Sequence, residues 1–212
     1  MSASDLTSRS SLSPVITKEM ITGLVLAGGR GARMGHADKG LQSFRGAPLI
    51  SHVLQRLAPQ VGRLIINANR NLHEYEKYGH PVKPDAMHGF HGPLAGLQTG
   101  LQFCETPYLL SVPCDSPFLP DDLVARLSAA LLADDAELAV AITNEDGRRQ
   151  PHPVFCLTKV SLLPHLTAYL QSGGRKFDAW YAELHVAETL FEDAAAFRNL
   201  NNPRDFQLSE VD

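Results

Sequence analysis

The chain has 212 residues, 44% of them hydrophobic, which is enough for one domain with a sizeable core and short for two. Its formal net charge is −4, so it lacks the basic excess with which proteins grip nucleic acid phosphates, and any anionic substrate must be met by a local set of donors. Three cysteines, Cys104, Cys114 and Cys156, occur without a C-x-x-C spacing, which argues against a disulfide framework and a zinc site and fits a reducing cytosol.

Met1 to Pro14 is rich in Ser and Thr and has no apolar h-region, so it reads as a flexible tail rather than a signal peptide. The tail is taken to run to residue 20, and residues 21–212 form a single domain. No apolar run reaches the ~18 residues of a membrane span, which argues against a membrane partner. Ile21 to Leu26 is apolar on both faces and suits a buried parallel strand. It runs into a glycine-rich, basic loop, Ala27 to Gly35. Pro48 opens a helix with Leu49, Val53, Leu54 and Leu57 on one face.

Arg63 to Asn67 is the second strand. A helix over Leu72 to Tyr78 and a short strand over Pro81 to Pro84 follow. Asp85 to Pro93 is a loop, and Leu94 to Phe103 a helix. Tyr108 to Val112 is another buried strand, ending at Pro113-Cys114-Asp115-Ser116-Pro117. Pro120 and Asp121 start a helix through Leu123, Leu127 and Leu131. Glu137 to Ile142 is strand-like, Asp146-Gly147 marks a turn, and Pro153 to Leu157 returns as a strand. Helices are expected around Leu162 to Leu170 and Lys176 to Leu184, an extended piece at Arg198 to Asn201, and a last helix from Pro203. The alternation predicts an α/β fold, a single Rossmann-like domain with a mostly parallel sheet and helices on both faces. Right-handed crossovers then bring the Gly28 and Asp115 loops to the carboxyl ends of neighbouring strands, where open α/β sheets bind ligands.

Gly28, Gly29 and Gly31 remove side chains from the first loop, so backbone N–H groups can approach an anion. Arg30, Arg33 and Lys39 surround it with positive charge, as a triphosphate requires before a nucleophile can reach phosphorus. Neither familiar glycine fingerprint is met. Met34 stands where a dinucleotide motif needs its last glycine, and Lys39 precedes Gly40 rather than following a P-loop glycine. The second strand ends without the acidic residue of an NAD site, which disfavours an oxidoreductase. Asp115, between prolines 113 and 117, is either an Asx-turn or a hard oxygen ligand suited to Mg²⁺ bridging substrate phosphates. Asn67 either closes its strand or reads a base edge or ribose. The histidines near residue 85, His80, His88 and His91, fit no common zinc spacing.

Leu26-Ala27-Gly28-Gly29, Arg33-Met34-Gly35 and Asp38-Lys39-Gly40 together resemble the opening motif of the sugar-nucleotide-type nucleotidyltransferases. Within that superfamily the chain is similar to the molybdenum cofactor guanylyltransferases, from Thr22 to Phe206 and with the motifs in the same order. The related cytidylyltransferase typically has alanine where Gly28 sits. The resemblance implies a nucleotide-diphospho-sugar transferase type of fold, GTP and molybdopterin as substrates, and Mg²⁺ as cofactor. It implies GTP contacts from Leu26, Ala27, Gly28, Gly29, Lys39, Asn67, Asp85 and Asp115, with magnesium held by Asp115. Arg33, Lys39 and Asp115 are the catalytic candidates.

Gly92-Pro93-Leu94-Ala95-Gly96 matches a further family segment at a helix start. The C-terminal part would supply the molybdopterin side. Asn199 and Asn201 match an Asn-x-Asn-Thr-Pro segment there, with Asn202 where threonine is usual. Arg175 and Lys176 either clamp the pterin phosphate or form a solvated basic helix face. Gly31-Ala32 departs from the usual pair. The resemblance places the chain in the cytoplasm, beside other cofactor-biosynthesis proteins and acceptor molybdoenzymes. The rival readings are a cytidylyl- or sugar-1-phosphate nucleotidyltransferase, and a non-catalytic cofactor carrier.

Overall fold

The computed structural model describes residues 14–29, 38–87 and 92–201. Its centre is a seven-stranded sheet. The strands are β1 (Ile21–Leu26), β4 (Arg63–Asn67), β5 (Val82–Lys83), β6 (Tyr108–Pro113), β7 (Leu138–Glu145), β8 (Arg148–Lys159) and β9 (Val186–Phe191). Their order is β5-β4-β1-β6-β8-β7-β9. Every neighbouring pair is parallel except the two that β8 makes, with β6 and β7. The mostly parallel sheet is the one expected from the alternating pattern, and no described helix is long and apolar enough to cross a membrane.

Helices cover both faces. The set comprises α1 (Leu49–Leu57), α2 (Leu72–Glu76), α3 (Pro93–Phe103), α4 (Leu123–Ala133), α5 (Leu163–Gln171) and α6 (Phe177–Tyr181). Successive strand residues point to opposite faces, so β1 sends Ile21 and Val25 to one core and Leu24 and Leu26 to the other. The first core takes Val53 and Leu57 of α1 and Leu123 and Leu127 of α4. The second takes Leu94 and Leu97 of α3, Leu166 of α5 and Trp180 of α6. Each core buries many whole aliphatic side chains, worth roughly 1.5–3 kcal/mol apiece before chain entropy is subtracted.

Four local features differ from the sequence expectation. Lys18–Met20, assigned to the tail, forms a 3-10 turn. Ser43–Phe44 (β2) and Ala47–Pro48 (β3) form a small hairpin around Arg45 and Gly46, both at positive φ. The strand read as starting at Pro153 starts at Arg148 instead, because Asp146 and Gly147, both at positive φ, close a tight β7–β8 hairpin. Pairing jumps from Val140↔Cys156 to Ala141↔His152, so residues 153–155 bulge and Pro153 needs no ladder partner. The strand β9 is not among the sequence expectations, because its alternation breaks at one pair, with Thr189 turned in and Leu190 48% exposed. The helix expected from Pro203 lies outside the described residues.

Candidate active site

The parallel register of β1 and β6 pairs Leu26 with Pro113, so both chains leave the sheet at the same edge. Backbone hydrogen bonds join the exits. Ala27 N–H donates to Asn67 O at 2.8 Å, and Cys114 N–H donates to Leu26 O at 3.1 Å. Gly28, Asn67 and Asp115 therefore share the carboxyl edge of the sheet, where such folds hold ligands.

Lys39 reaches this edge from a 3-10 turn, Lys39–Leu41. Its Nζ lies 3.2 Å from Asp115 Oδ2 and also donates to Asn201 Oδ1. The Asp115 side chain is 10% exposed and that of Lys39 27%, so the carboxylate has little water and relies on this ammonium. The chain past residue 198 is fastened to the same turn. Leu200 N–H donates to Asp115 O at 2.9 Å, and Ser116 Oγ donates to Asn199 Oδ1 at 2.6 Å. Leu200 is fully buried against Phe44 and Leu49. Its neighbours Asn199 and Asn201 therefore face the edge as an extended segment should. Lys39, Asp115, Asn199 and Asn201, far apart in sequence, meet here. Arg33 lies outside the described residues.

On the other side of β1 a polar network closes around Asn67. Its Nδ2 donates to Asp85 Oδ1 at 2.8 Å and to Lys83 O at 3.1 Å. Asn69 Nδ2 donates to Asp85 Oδ2 at 2.9 Å, and Asp85 N–H donates back to Asn69 Oδ1 at 2.8 Å. Asn67 is 2% exposed, so these bonds fix its amide rather than leaving it to solvent. Gly28 faces the same amides, since a Cβ there would stand 2.7 Å from Asn69 Nδ2. The arrangement places carboxylate and amide groups beside the glycine loop, where a base or ribose needs paired donors and acceptors.

Asp38, Tyr75 and Asn69 carry structure that the residue pattern alone did not single out. Tyr75 is fully buried, and its hydroxyl donates to Asp38 Oδ1. Burial, the Cys114 thiol and the bond to Asp38 all push the phenol well above its ordinary range, so it stays a donor. The only sequence signal was a tyrosine on a helix face where Leu or Phe would fill the same space. Cys114 is buried with its thiol held up by desolvation and by Asp115 and Asp38, the condition of an inert packing residue.

Arg175 and Lys176 lie between α5 and α6, in the helix layer over the second core. Arg175 Nη1 donates to Leu170 O at 2.9 Å and to Gly174 O, capping the end of α5. His80 is held below its usual range by burial. His88 and His91 lie outside the described residues, and among the described residues no three His, Cys, Asp or Glu side chains gather as a metal cluster.

Residues 23–186 match the family described as the MobA-like NTP transferase domain. A molybdenum cofactor guanylyltransferase of Cupriavidus necator is 55% identical over 198 residues, spanning 93% of this chain and 100% of that protein. One from Ralstonia nicotianae is 57% identical over 196 residues, 90% of this chain and 96% of that protein. Among solved structures, molybdopterin-guanine dinucleotide biosynthesis protein A of Archaeoglobus fulgidus superposes with a TM-score of 0.72 at 21% identity, over 90% of this chain and 97% of that one. The 4-diphosphocytidyl-2C-methyl-D-erythritol synthase of Anaerococcus prevotii does so with a TM-score of 0.71 at 12% identity, over 92% and 96%. At those identities the two structures speak for the fold alone.

Proposed function

The chain belongs to the MobA-like NTP transferase domain family, and from that membership we propose that it is a molybdenum cofactor guanylyltransferase, which moves GMP from GTP onto the terminal phosphate of molybdopterin and releases pyrophosphate. The structural observation that carries the reading is the meeting of Lys39, Asp115 and Asn201 at the open end of β1 and β6.

The reaction forms one P–O bond at the α-phosphorus and breaks the bond to the β-phosphate. The attacking phosphate is anionic near neutral pH, so no side chain has to remove a proton. What remains is alignment and charge neutralisation. In this reading Leu26, Ala27, Gly28 and Gly29 would line the triphosphate with backbone, Lys39 would offset its charge, and Asp115 would hold a metal ion. Asn67 and Asp85 meet the nucleoside. Asn199 and Asn201 face the acceptor.

The donor set fits magnesium. One nearly buried carboxylate beside a phosphate site is enough, because Mg²⁺ takes its other ligands from phosphate oxygens and water. When bound there, the ion supplies neutralisation of the α-phosphate and of the departing pyrophosphate. The reaction would run in the cytoplasm, with acceptor molybdoenzymes taking the dinucleotide product. Pyrophosphate release should be measured with molybdopterin and each nucleoside triphosphate in turn, with and without Mg²⁺. GTP with Mg²⁺ is expected to support turnover at least tenfold above the others. A preference for CTP would overturn the guanylyl reading, and undiminished turnover without divalent metal would overturn the magnesium assignment.

A further inference from the structure

Lys39 is a long side chain on a short turn, and its ammonium must arrive at one place. A flexible lysine loses rotamer entropy when fixed, so a catalytic lysine benefits from a rigid base. Both flanks of Lys39 are held by one residue. On the N-terminal side, the two Asp38 carboxylate oxygens accept separately, Oδ1 from Tyr75 Oη–H and Oδ2 from Asn71 Nδ2 at 3.1 Å. On the C-terminal side, Gly40 lies against the same hydroxyl. A Cβ at Gly40 would stand 2.6 Å from Tyr75 Oη and 3.3 Å from Cys114 Sγ. Cys114 is the residue before Asp115, so the turn that carries Lys39 is pressed onto the strand end that carries its partner.

Tyr75 is otherwise a core residue. Its ring is fully buried among the side chains of the first core, in the five-residue helix α2. A phenylalanine would fill that space, and the hydroxyl costs desolvation unless it is bonded. Among the described residues its hydroxyl finds its acceptor on the residue preceding Lys39. Asn71, at the head of α2, sits in the left-handed region at φ 51°, which an asparagine tolerates and which turns its amide toward Asp38.

We propose that Tyr75 is a positioning residue for guanylyl transfer, its hydroxyl bonding Asp38 and backing Gly40 so that the Lys39 ammonium is delivered beside Asp115. The proposal rests on the guanylyltransferase reading for its effect on rate, but the placement of Lys39 can be measured without turnover. Tyr75 touches no substrate and acts only through Lys39.

The test is a double-mutant cycle with Tyr75→Phe and Lys39→Met, followed by single-turnover transfer from GTP to molybdopterin. Tyr75→Phe is expected to lower the rate constant about tenfold while changing the KM for GTP less than threefold. In the Lys39→Met background it is expected to have no further effect. A turnover within twofold of wild type, or the same tenfold loss repeated in the Lys39→Met background, would overturn the proposal. Asp38→Asn is the companion variant, and its loss should not add to that of Tyr75→Phe. The activity-free readout is the ε-methylene NMR signal of Lys39 in the ligand-free protein, assigned by its disappearance in Lys39→Met. It should move from its own position toward that of solvated lysines in Tyr75→Phe, and an unmoved signal would count against the buttress. Absence of transfer by the wild-type protein would instead reject the guanylyltransferase reading and leave the NMR result standing.

Discussion

Asn67 and Gly96 meet where β4 and α3 come together, and a Cβ added to Gly96 would lie 2.3 Å from Asn67 Oδ1 and 2.6 Å from Leu26 Cδ2. A helix with any side chain at position 96 could not sit this close to the strand end that carries the asparagine. The amide cannot simply swing away, because its Nδ2 is committed to Asp85 and to the Lys83 carbonyl.

Gly96→Ala should therefore act on nucleotide binding before it acts on chemistry. Overpacking of this kind costs about 1–3 kcal/mol, and part of it falls on the Asn67–Asp85 bond. The expected outcome is a KM for GTP raised about tenfold, with kcat within about threefold and a Tm lower by a few degrees. Steady-state kinetics with a thermal melt would check this. A variant with wild-type KM and a wild-type melt would show that Asn67 relaxes freely and that its placement is not what the glycine protects.

Asp115→Ala should abolish measurable turnover while leaving the fold intact. The loss on removing a charged group that acts in the transition state is on the order of 10²–10³, and here the metal is expected to go with it. Lys39 is partly exposed and keeps Asn201 as a partner, so the ammonium is not stranded in an apolar site. Tm should stay within a few degrees of wild type. Near-normal pyrophosphate release in Asp115→Ala at physiological magnesium would overturn the metal assignment.

The sheet was legible because its signals are local and redundant. Continuous apolar runs at Ile21–Leu26 and Tyr108–Val112 suit strands buried on both faces, and the loops at their ends follow from topology. Asp115 was legible for the same reason, as a charged residue just past such a strand, whereas Lys39 was read from the basic loop and its Asp38-Lys39-Gly40 motif. The Asn199–Leu200–Asn201 segment was placed by resemblance, and the physics behind it is tertiary: Leu200 is buried under Phe44, and the Asp115 carbonyl takes its N–H. Tyr75 was illegible because a buried hydroxyl and a buried ring give the same helical pattern. In β9 the inward residues are Ala187, Thr189 and Phe191 and the outward ones Glu188 and Leu190, so hydrophobicity runs against burial at Thr189 and Leu190. Arg126 explains how that is tolerated, with its guanidinium over the Phe191 ring at 4.3 Å and bonded to Leu190 O.

Arg175 and Lys176 should separate on substitution. The guanidinium of Arg175 caps the last carbonyls of α5, a contact worth up to about 1 kcal/mol at a helix C-terminus. Arg175→Ala is expected to lower Tm by about 2–4 °C for a protein of this size. Lys176 is exposed, and among the described residues its backbone carbonyl accepts from Tyr169 Oη and Trp180 N–H, bonds an alanine would keep, so Lys176→Ala should leave Tm within about a degree. If either side chain reaches the acceptor phosphate, its alanine variant will raise the KM for molybdopterin and leave that for GTP unchanged. Unchanged KM values in both variants would remove this pair from the acceptor side.

Stability should fall on mild acidification, and His152 should account for part of the fall. Its ring is half-buried, stacks on Phe197 with centroids 4.6 Å apart, and bonds Thr143 Oγ1 at 2.8 Å. Burial lowers its pKa, with Glu145 pulling weakly the other way. In the unfolded chain the imidazole takes up its proton near about pH 6.5. Below that pH the unfolded state binds more protons than the folded one, so the contribution of His152 is complete above about 6.5 and is lost as pH falls toward its depressed folded pKa. His80, also lowered by burial, adds to the same slope. Melts between pH 7.5 and 5.5 should show Tm dropping in the wild type and dropping less in His152→Gln, because the variant has no proton to take up at that position. Phe197 leads directly into the segment that holds Asn199 and Asn201, so in the wild type the same acidification should raise the KM for molybdopterin before it raises that for GTP. Parallel melting curves for the two proteins would mean that the ring accepts its proton inside the fold and that the stack does not depend on neutrality.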